Sequence, residues 1–415
     1  MSNLPSILQK IRIWGFKGVF DYFKRKLHDA RIRSFLLSNA KRYPLSPSEG
    51  ITILADMTQP ASLSKTMRDF TFALKKAGIP FQTFDLHPTH YQFPDDIGDI
   101  LTKRSDFRIL KYSHVIEMFS SPLPDSLQLK RARIIFWEFT TGLLEFSPAV
   151  CDAPAIIAMS DFNYQVFRNI FPKTTMIKKV LYPFFFDKCS IPDKPTIRKK
   201  YGIPETAFVV FFNFDYGSSF SRKNPDGSIR AFAMAFSENK NAFLVFKTKG
   251  AKSHLKDRER LLRLASNLKV DDQLLMIDEY IPQHDIYGLT NACDVYLSLH
   301  RGEGFGLGIV EAMSLGKAVV ATDYSSTTEF CLPHTSIPVP YAIVKVPDKM
   351  HDHPCYTAVK EWAEPNINAA ADALCELHDN KDLRTKIGIA ARSFVEEHFS
   401  AENFKKSMED FFGKV

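Results

Sequence analysis

Several familiar features are missing from this chain, and each absence removes a class of protein. No two of the six cysteines (Cys151, Cys189, Cys293, Cys331, Cys355 and Cys375) stand in C-x-x-C spacing. That argues against a zinc site and a disulfide framework, and for scattered thiols in a reducing compartment. The N-terminus lacks an apolar run long enough for a signal peptide. Nothing approaches the ~20 apolar residues that a membrane-spanning helix needs. D-x-D does not occur, so no metal is expected. There is no repeat and no low-complexity tract. The expected location is the cytosol.

What is present reads as a folded α/β chain. Its 415 residues are too many for one ordinary core, which favours two or three domains. The net charge of +7 is unevenly placed: Met1–Arg42 hold ten Lys/Arg and two acids, so the remainder nets −1. In that first segment Ile7, Ile11, Trp14, Phe20, Phe23 and Leu27 recur at helical spacing among Lys10, Arg12, Lys17, Lys24, Arg25 and Lys26. The expectation for residues 1–48 is a basic amphipathic helical segment lying on an anionic membrane surface. A basic helix packed on the protein's own core is the alternative.

A strand–helix alternation begins at Gly50, with strands expected near 51–56, 80–86, 113–119, 132–136, 155–159 and 176–181. Residues 187–204, with Pro192, Pro195 and Pro204, read as a linker. A second series follows, with strands near 208–214, 242–247, 274–277, 295–299 and 318–322. Such alternation argues for doubly wound parallel sheets. Two Rossmann-like domains facing across a cleft are expected, over 49–190 and 191–398. The closing helix, within 399–415, would cross back to the first domain.

The chemistry concentrates where Ser298-Leu-His-Arg-Gly-Glu303-Gly-Phe-Gly-Leu-Gly-Ile-Val-Glu311 leaves an apolar strand and enters a helix. Gly304, Gly306 and Gly308 allow close backbone approach to a ligand, and a helix starting at Leu307 aims its N-terminus the same way. That arrangement binds a diphosphate without a metal. A carboxylate accepts two hydrogen bonds from vicinal hydroxyls, so Glu303 and Glu311 could each grip a sugar ring. Glu311 stands among Ile309, Val310, Ala312, Met313 and Leu315, where a charge needs a specific partner.

This E-x7-E element, within S-x-x-x-x-E-G-F-G-L-x-x-x-E-A-M-x-x-G-x-x-V-V-A-T, resembles the retaining glycosyltransferases of family 4, which have the two-domain GT-B architecture. The resemblance spans about residues 50–412 in pattern and is most specific over 209–236 and 286–330. It implies that Glu303 contacts the donor sugar, that Glu311 holds the ribose, and that Gly304, Phe305, Gly306 and Leu307 meet the sugar and diphosphate. His300 and Arg301 match an S-L-H-R element of a polysaccharide-building branch and would line the donor pocket. Asp215-x-x-Ser218-x-x-x-Arg222-Lys223-Asn-Pro225 looks like a second motif of that branch. Lys223 matches the family's cation on the leaving diphosphate. The usual Arg five or six residues earlier is replaced by Gly217 and Ser218, leaving Arg222 to supply that charge. A solvated Arg–Lys pair is the alternative.

On the acceptor side, Trp137-Glu138 resembles a W-E element, making Glu138 a candidate for orienting the acceptor hydroxyl; a structural Trp–Glu edge is the alternative. Many relatives carry a His in this region, and this chain has none. The loop Thr58–Ser62 lacks the glycines that relatives have there. Ser160 reads as a helix N-cap. His87, His90, His351 and His353 lack partners at metal spacing. The expectation is a metal-independent retaining hexosyltransferase, EC 2.4, acting peripherally on the inner membrane face. It would move a mannose-, galactose- or rhamnose-like sugar from a nucleotide-sugar to a glycan or lipid-linked glycan of a surface polysaccharide such as O-antigen or capsule. No cofactor and no nucleic acid are expected. A phosphorylase or epimerase of the same fold, or an inactive glycan-binding scaffold subunit, are the competing readings.

Overall fold

A computed structural model describes residues 46–58, 62–86, 100–101, 112–118, 129–143, 153, 155–184, 191–350 and 352–412, with five isolated positions before them. Those five, Leu27, Ala30, Arg31, Ser34 and Ser38, are helical and exposed. Residues Ser46–Ser48, expected to close the helical segment, instead begin a strand, and the other residues of the basic amphipathic segment 1–48 lie outside the described residues. Among the described residues no helix is long and apolar enough to cross a membrane.

The first domain is a six-stranded parallel sheet in the order β2-β1-β3-β4-β5-β6. Its strands are β1 (Ser46–Ala55), β2 (Phe81–Asp85), β3 (Tyr112–Met118), β4 (Lys130–Ile134), β5 (Ala155–Ala158) and β6 (Met176–Lys179). Helix α1 (Ser62–Ala77) follows β1, and α2 (Asp161–Ile170) follows β5. Ser160 caps α2 by accepting from Asn163 N at 3.1 Å.

The second domain opens with α3 (Lys194–Lys200) and holds β7 (Phe208–Asp215), α4 (Phe220–Lys223), α5 (Pro225–Phe236), β8 (Ala242–Lys249), α6 (Leu255–Asn267), β9 (Leu274–Ile277), α7 (Gln283–Ala292), β10 (Val295–Ser298), α8 (Leu307–Ser314), β11 (Ala318–Thr322) and β12 (Ile337–Val339). Its sheet, β12-β11-β10-β7-β8-β9, is also parallel throughout. The central strands are continuous apolar runs because helices cover both faces: Phe208–Phe212 and Ala318–Thr322 are wholly buried. An antiparallel hairpin, β13 (Tyr341–Lys345) and β14 (Glu361–Pro365), follows β12. Helices α9 (Ile367–Asp379), α10 (Lys381–His398) and α11 (Ala401–Phe412) complete the chain. Helix α11 returns to the first domain, where Phe404 meets the Phe70 edge of α1 at 5.0 Å between centroids.

Two parts of the sequence reading are corrected. Residues 187–204 are not simply a linker, because α3 lies inside them. Asp193 caps it by accepting from Thr196 N at 2.8 Å, and Pro195 sits in its first turn, where a missing N–H costs nothing. The hairpin at 341–365 was not anticipated at all. Its first strand is mostly exposed, so it lacks the apolar run that marks a buried strand.

The candidate active site between the domains

In the second sheet the strand order reverses between β7 and β10, and ligands of open α/β sheets bind outside the carboxyl ends of the strands at such a reversal. The two sequence motifs are those loops. After β7, Asp215 accepts from Gly217 N at 2.8 Å, and Ser219 takes a positive φ of 64° before α4. Asn224 is left-handed at φ 52°; it accepts from Gly227 N at 3.1 Å and donates from Nδ2 to Leu299 O at 2.9 Å. Two non-glycine residues at positive φ bracket Arg222 and Lys223, and such strain persists only where surroundings over-determine it. The β10 loop supplies that restraint: Arg301 N donates to Arg222 O at 2.8 Å, and Arg222 Nη1 donates to Gly302 O at 2.7 Å.

These contacts bring four charged side chains together. Lys223 Nζ is ion-paired and hydrogen-bonded to Glu303 Oε1, while Arg222 Nη1 lies 3.4 Å from Glu303 Oε2. Glu138, from the loop after β4, is 3.9 Å from the same Arg222 nitrogen. Arg222 also donates to Ser218 O at 3.0 Å and to Ser218 Oγ at 2.9 Å, so it is a buried part of the site and not a solvated surface cation. Burial alone would raise the Glu303 carboxyl, but Lys223 and Arg222 outweigh it and hold the group at about 2. Glu303 is therefore a carboxylate at any ordinary pH. Burial raises Glu138, and the neighbouring Glu303 adds to that against the pull of Arg222.

The glycine loop sits under the first domain. A Cβ at Gly302 would lie 2.8 Å from Glu138 O, and one at Gly304 would lie 3.0 Å from Phe136 Cβ. Gly306 has φ 95°, and its Cβ would be 2.7 Å from Thr327 Cγ2. Phe305 stacks on Tyr182 of the first domain, 4.2 Å between centroids and 19° between planes. Leu307 opens α8 immediately after. Tyr182 in turn donates to Asp69 Oδ2 at 2.9 Å, and Asp69 pairs with Lys65 at 2.6 Å.

Glu311 faces that same part of α1. It is buried within α8, hydrogen-bonded to Tyr287, with the charges of Lys65 and Asp69 acting on it. Burial raises its carboxyl to about 7. A raised carboxyl binds its proton more tightly in the folded state, so its contribution to stability falls as pH rises from the unfolded value through about 7. Glu311→Gln removes that contribution. The thermal midpoint of the variant relative to the native chain is expected to climb by a few degrees between pH 5 and pH 8, read by differential scanning fluorimetry. A constant difference across that range would mean that Glu311 is not buried as described.

His300 and Arg301, expected to line the donor pocket, are both engaged with the protein's own groups. His300 is fully buried, with Nδ1 3.1 Å from Ser298 Oγ and Nε2 3.3 Å from Tyr324 O. Burial lowers it to about 4, so it is a neutral imidazole bracing the loop from behind. Arg301 turns to the hairpin. It donates to Glu364 at 2.6 and 2.7 Å, donates to Ser221 O at 2.6 Å, and lies over the Trp362 ring at 4.8 Å. The hairpin contributes residues that no local pattern marked. Asp352 accepts from Ser219 Oγ at 2.7 Å and from Ser221 N at 2.6 Å, and Tyr356 hydrogen-bonds Glu138. On the first domain, Lys65 and Asp69 stand four residues apart on α1 and belong to no local motif.

Comparison with known proteins places these residues in context. Residues 193–335 match the family described as glycosyl transferases group 1. The serotype-specific mannosyltransferase WbdA of Escherichia coli is 28% identical over 134 residues, 32% of this chain and 16% of that protein. The chain therefore aligns with about a sixth of the length of the curated relatives it matches. Among solved structures, sucrose-phosphate synthase from Thermosynechococcus elongatus superposes with a TM-score of 0.61 at 14% identity, covering 88% of this chain and 98% of that one. Anabaena HepE in complex with UDP and glucose gives 0.59 at 14% identity, covering 89% and 100%. WaaG, a glycosyltransferase involved in lipopolysaccharide biosynthesis, gives 0.58 at 14% identity, covering 88% and 100%. At such identities the likeness establishes the GT-B fold.

Proposed function

We propose that this chain, whose second domain matches the group 1 glycosyltransferases, moves a hexose from a nucleotide-sugar to a hydroxyl of a growing surface polysaccharide, with retention of anomeric configuration. The observation that carries the reading is the convergence of Arg222 and Lys223 on Glu303 at the switch point of the second sheet. Two preorganised cations in a buried site are worth most where negative charge develops, and a departing diphosphate develops it. In this structure Glu303 is their counter-ion; a bound diphosphate would take over that part and free Glu303 for the donor sugar's hydroxyls. Among the described residues Arg222 Nε is also a buried donor without a hydrogen-bond partner, which suits an anionic ligand.

The step balances without a further reactant. The bond from the anomeric carbon to the diphosphate oxygen breaks, and a bond to the acceptor oxygen forms on the same face. The acceptor's proton passes to the departing diphosphate. Arg222, Lys223 and the N-terminus of α8 oppose the growing charge, Glu311 holds the ribose, and Glu138 orients the acceptor hydroxyl. Close approach of the domains, of the kind seen in the stacking of Phe305 on Tyr182, would exclude water from the reacting atoms. No step calls for a metal. The likeness to WbdA supports a mannose-like donor and an O-antigen type of product. The basic segment 1–48 supports a peripheral position on the inner membrane face.

A panel of GDP-, UDP- and dTDP-hexoses tests the reading. A donor at 100 times its Kd stabilises the fold by about 2.7 kcal/mol, a clear thermal shift. That donor should then release nucleoside diphosphate in step with sugar appearing on a polysaccharide acceptor, and without added metal. Stabilisation by nucleotide with no transfer to any glycan would sink the enzyme reading and favour a binding subunit.

A further inference from the structure

We propose that Tyr356, at the tip of the β13–β14 hairpin, is a positioning residue for the transfer: its hydroxyl holds Glu138 against Arg222 and Glu303 on the acceptor side. The inference rests on the glycosyltransferase reading above and adds a residue to it.

The ring of Tyr356 is fixed on several sides. Its centroid lies 5.6 Å from that of Trp137 and 5.2 Å from that of Phe139, and the Arg222 guanidinium lies 5.7 Å above its face. The backbone is fixed too. Tyr356 N donates to His353 O at 3.0 Å, and Cys355 N donates to His353 Nδ1 at 3.2 Å. The hairpin is anchored to both domains: Lys360 N donates to Thr141 Oγ1 at 3.2 Å, Ala363 N donates to Arg301 O at 3.3 Å, and Asp352 holds the turn at Ser219 and Ser221. With ring and backbone held, the position of the hydroxyl is determined, and it meets Glu138.

Packing alone does not require that hydroxyl, since a phenylalanine would fill the same aromatic cage. A hydroxyl placed in such a setting is tolerated because it is hydrogen-bonded, and here its partner is a carboxylate beside the reacting groups. A carboxylate tied through one oxygen keeps the other in a defined direction. The groups facing Glu138 come from three places: Arg222 and Lys223 after β7, Glu303 after β10, and Tyr356 with Cys355 on the hairpin. Burial and Glu303 push its proton affinity up, and the phenol and the two cations push it down. Without the phenol, Glu138 would lose its fixed direction and hold its proton to higher pH.

The test is Tyr356→Phe in the full chain. A hydrogen bond to a charged group is worth ~1.5–3 kcal/mol, so kcat should fall about tenfold or more. Donor KM should stay within about twofold, because the contact lies on the acceptor side. The acidic limb of the kcat–pH profile should move to higher pH. The Glu138 carboxyl, followed by carbon-13 NMR of glutamate-labelled protein and assigned with Glu138→Gln, should titrate higher in the variant. Unchanged kcat, or a loss confined to donor KM, would overturn the proposal. An unmoved Glu138 titration overturns it whether or not transfer is detected. If the native chain transfers from no nucleotide-sugar while the titration does move, the enzyme reading fails and the Tyr356–Glu138 contact stands.

Discussion

Lys223→Ala is expected to lower kcat by about 10²–10³-fold, the usual effect of removing one preorganised group that stabilises transition-state charge. The side chain is mostly buried, so water screens its charge only in part. Its counter-ion Glu303 remains ionised because Arg222 stays 3.4 Å away. The variant therefore keeps its fold but leaves Glu303 with half its compensation, and some stability goes with it. A double variant separates the two effects. Glu303→Gln added to Lys223→Ala should restore stability, since the uncompensated carboxylate is gone, but should restore no activity. Steady-state kinetics with the best donor of the panel, and calorimetry of the native chain and both variants, provide the measurement. Transfer at near-native rate by Lys223→Ala would remove this residue from the diphosphate site.

Arg198→Met is expected to destabilise the second domain by ~3–5 kcal/mol, the cost of breaking a buried charged network. Arg198 is 1% exposed. It donates to Ala292 O at 2.8 Å, to Glu205 O and Ala207 O at 2.8 Å each, to Pro204 O at 3.1 Å and to Asp294 Oδ2 at 3.2 Å. Methionine fills much of the volume but donates nothing, so four carbonyls are left without that donor in a region with little access to water. The thermal midpoint should fall by about 10 °C, at roughly 2–4 °C per kcal/mol. Arg198→Lys should fall between, because an ammonium cannot reach all five acceptors. A midpoint within a degree or two of native for Arg198→Met, by scanning calorimetry, would show that those carbonyls are satisfied in other ways.

Arg198 also owes its role to contacts that no local stretch of sequence specifies. Residues 187–204 carry prolines and lysines, and composition of that kind signals a connector. The signal that competed with it was short: Asp193 two residues before Pro195, an N-cap and a first-turn proline. What makes α3 matter is Arg198, whose acceptors lie as far away as Ala292 and Asp294. Nothing local predicts that. The two loop motifs were legible as motifs for the opposite reason. Glu303 and Gly304–Gly306 lie in one strand-to-helix turn, with Glu311 in the helix that it opens, and Arg222 and Lys223 lie in another. A motif confined to one turn carries its own geometry.

The strand and helix order of both domains, the helix start at Leu307 and the pairing of Arg222 with Lys223 were determined by the sequence itself. Each rests on periodicity, caps or backbone freedom over a few neighbouring residues, and those forces act locally. Tertiary structure alone decided that Lys223 and Arg222 share Glu303, that the charges of Lys65 and Asp69 act on Glu311, that Arg301 pairs with Glu364 of the hairpin, and that Tyr356 reaches Glu138. These contacts join residues tens to hundreds of positions apart. They exist because two parallel sheets bring the ends of distant strands to one crevice, and burial there makes each charge depend on whatever partner the fold delivers.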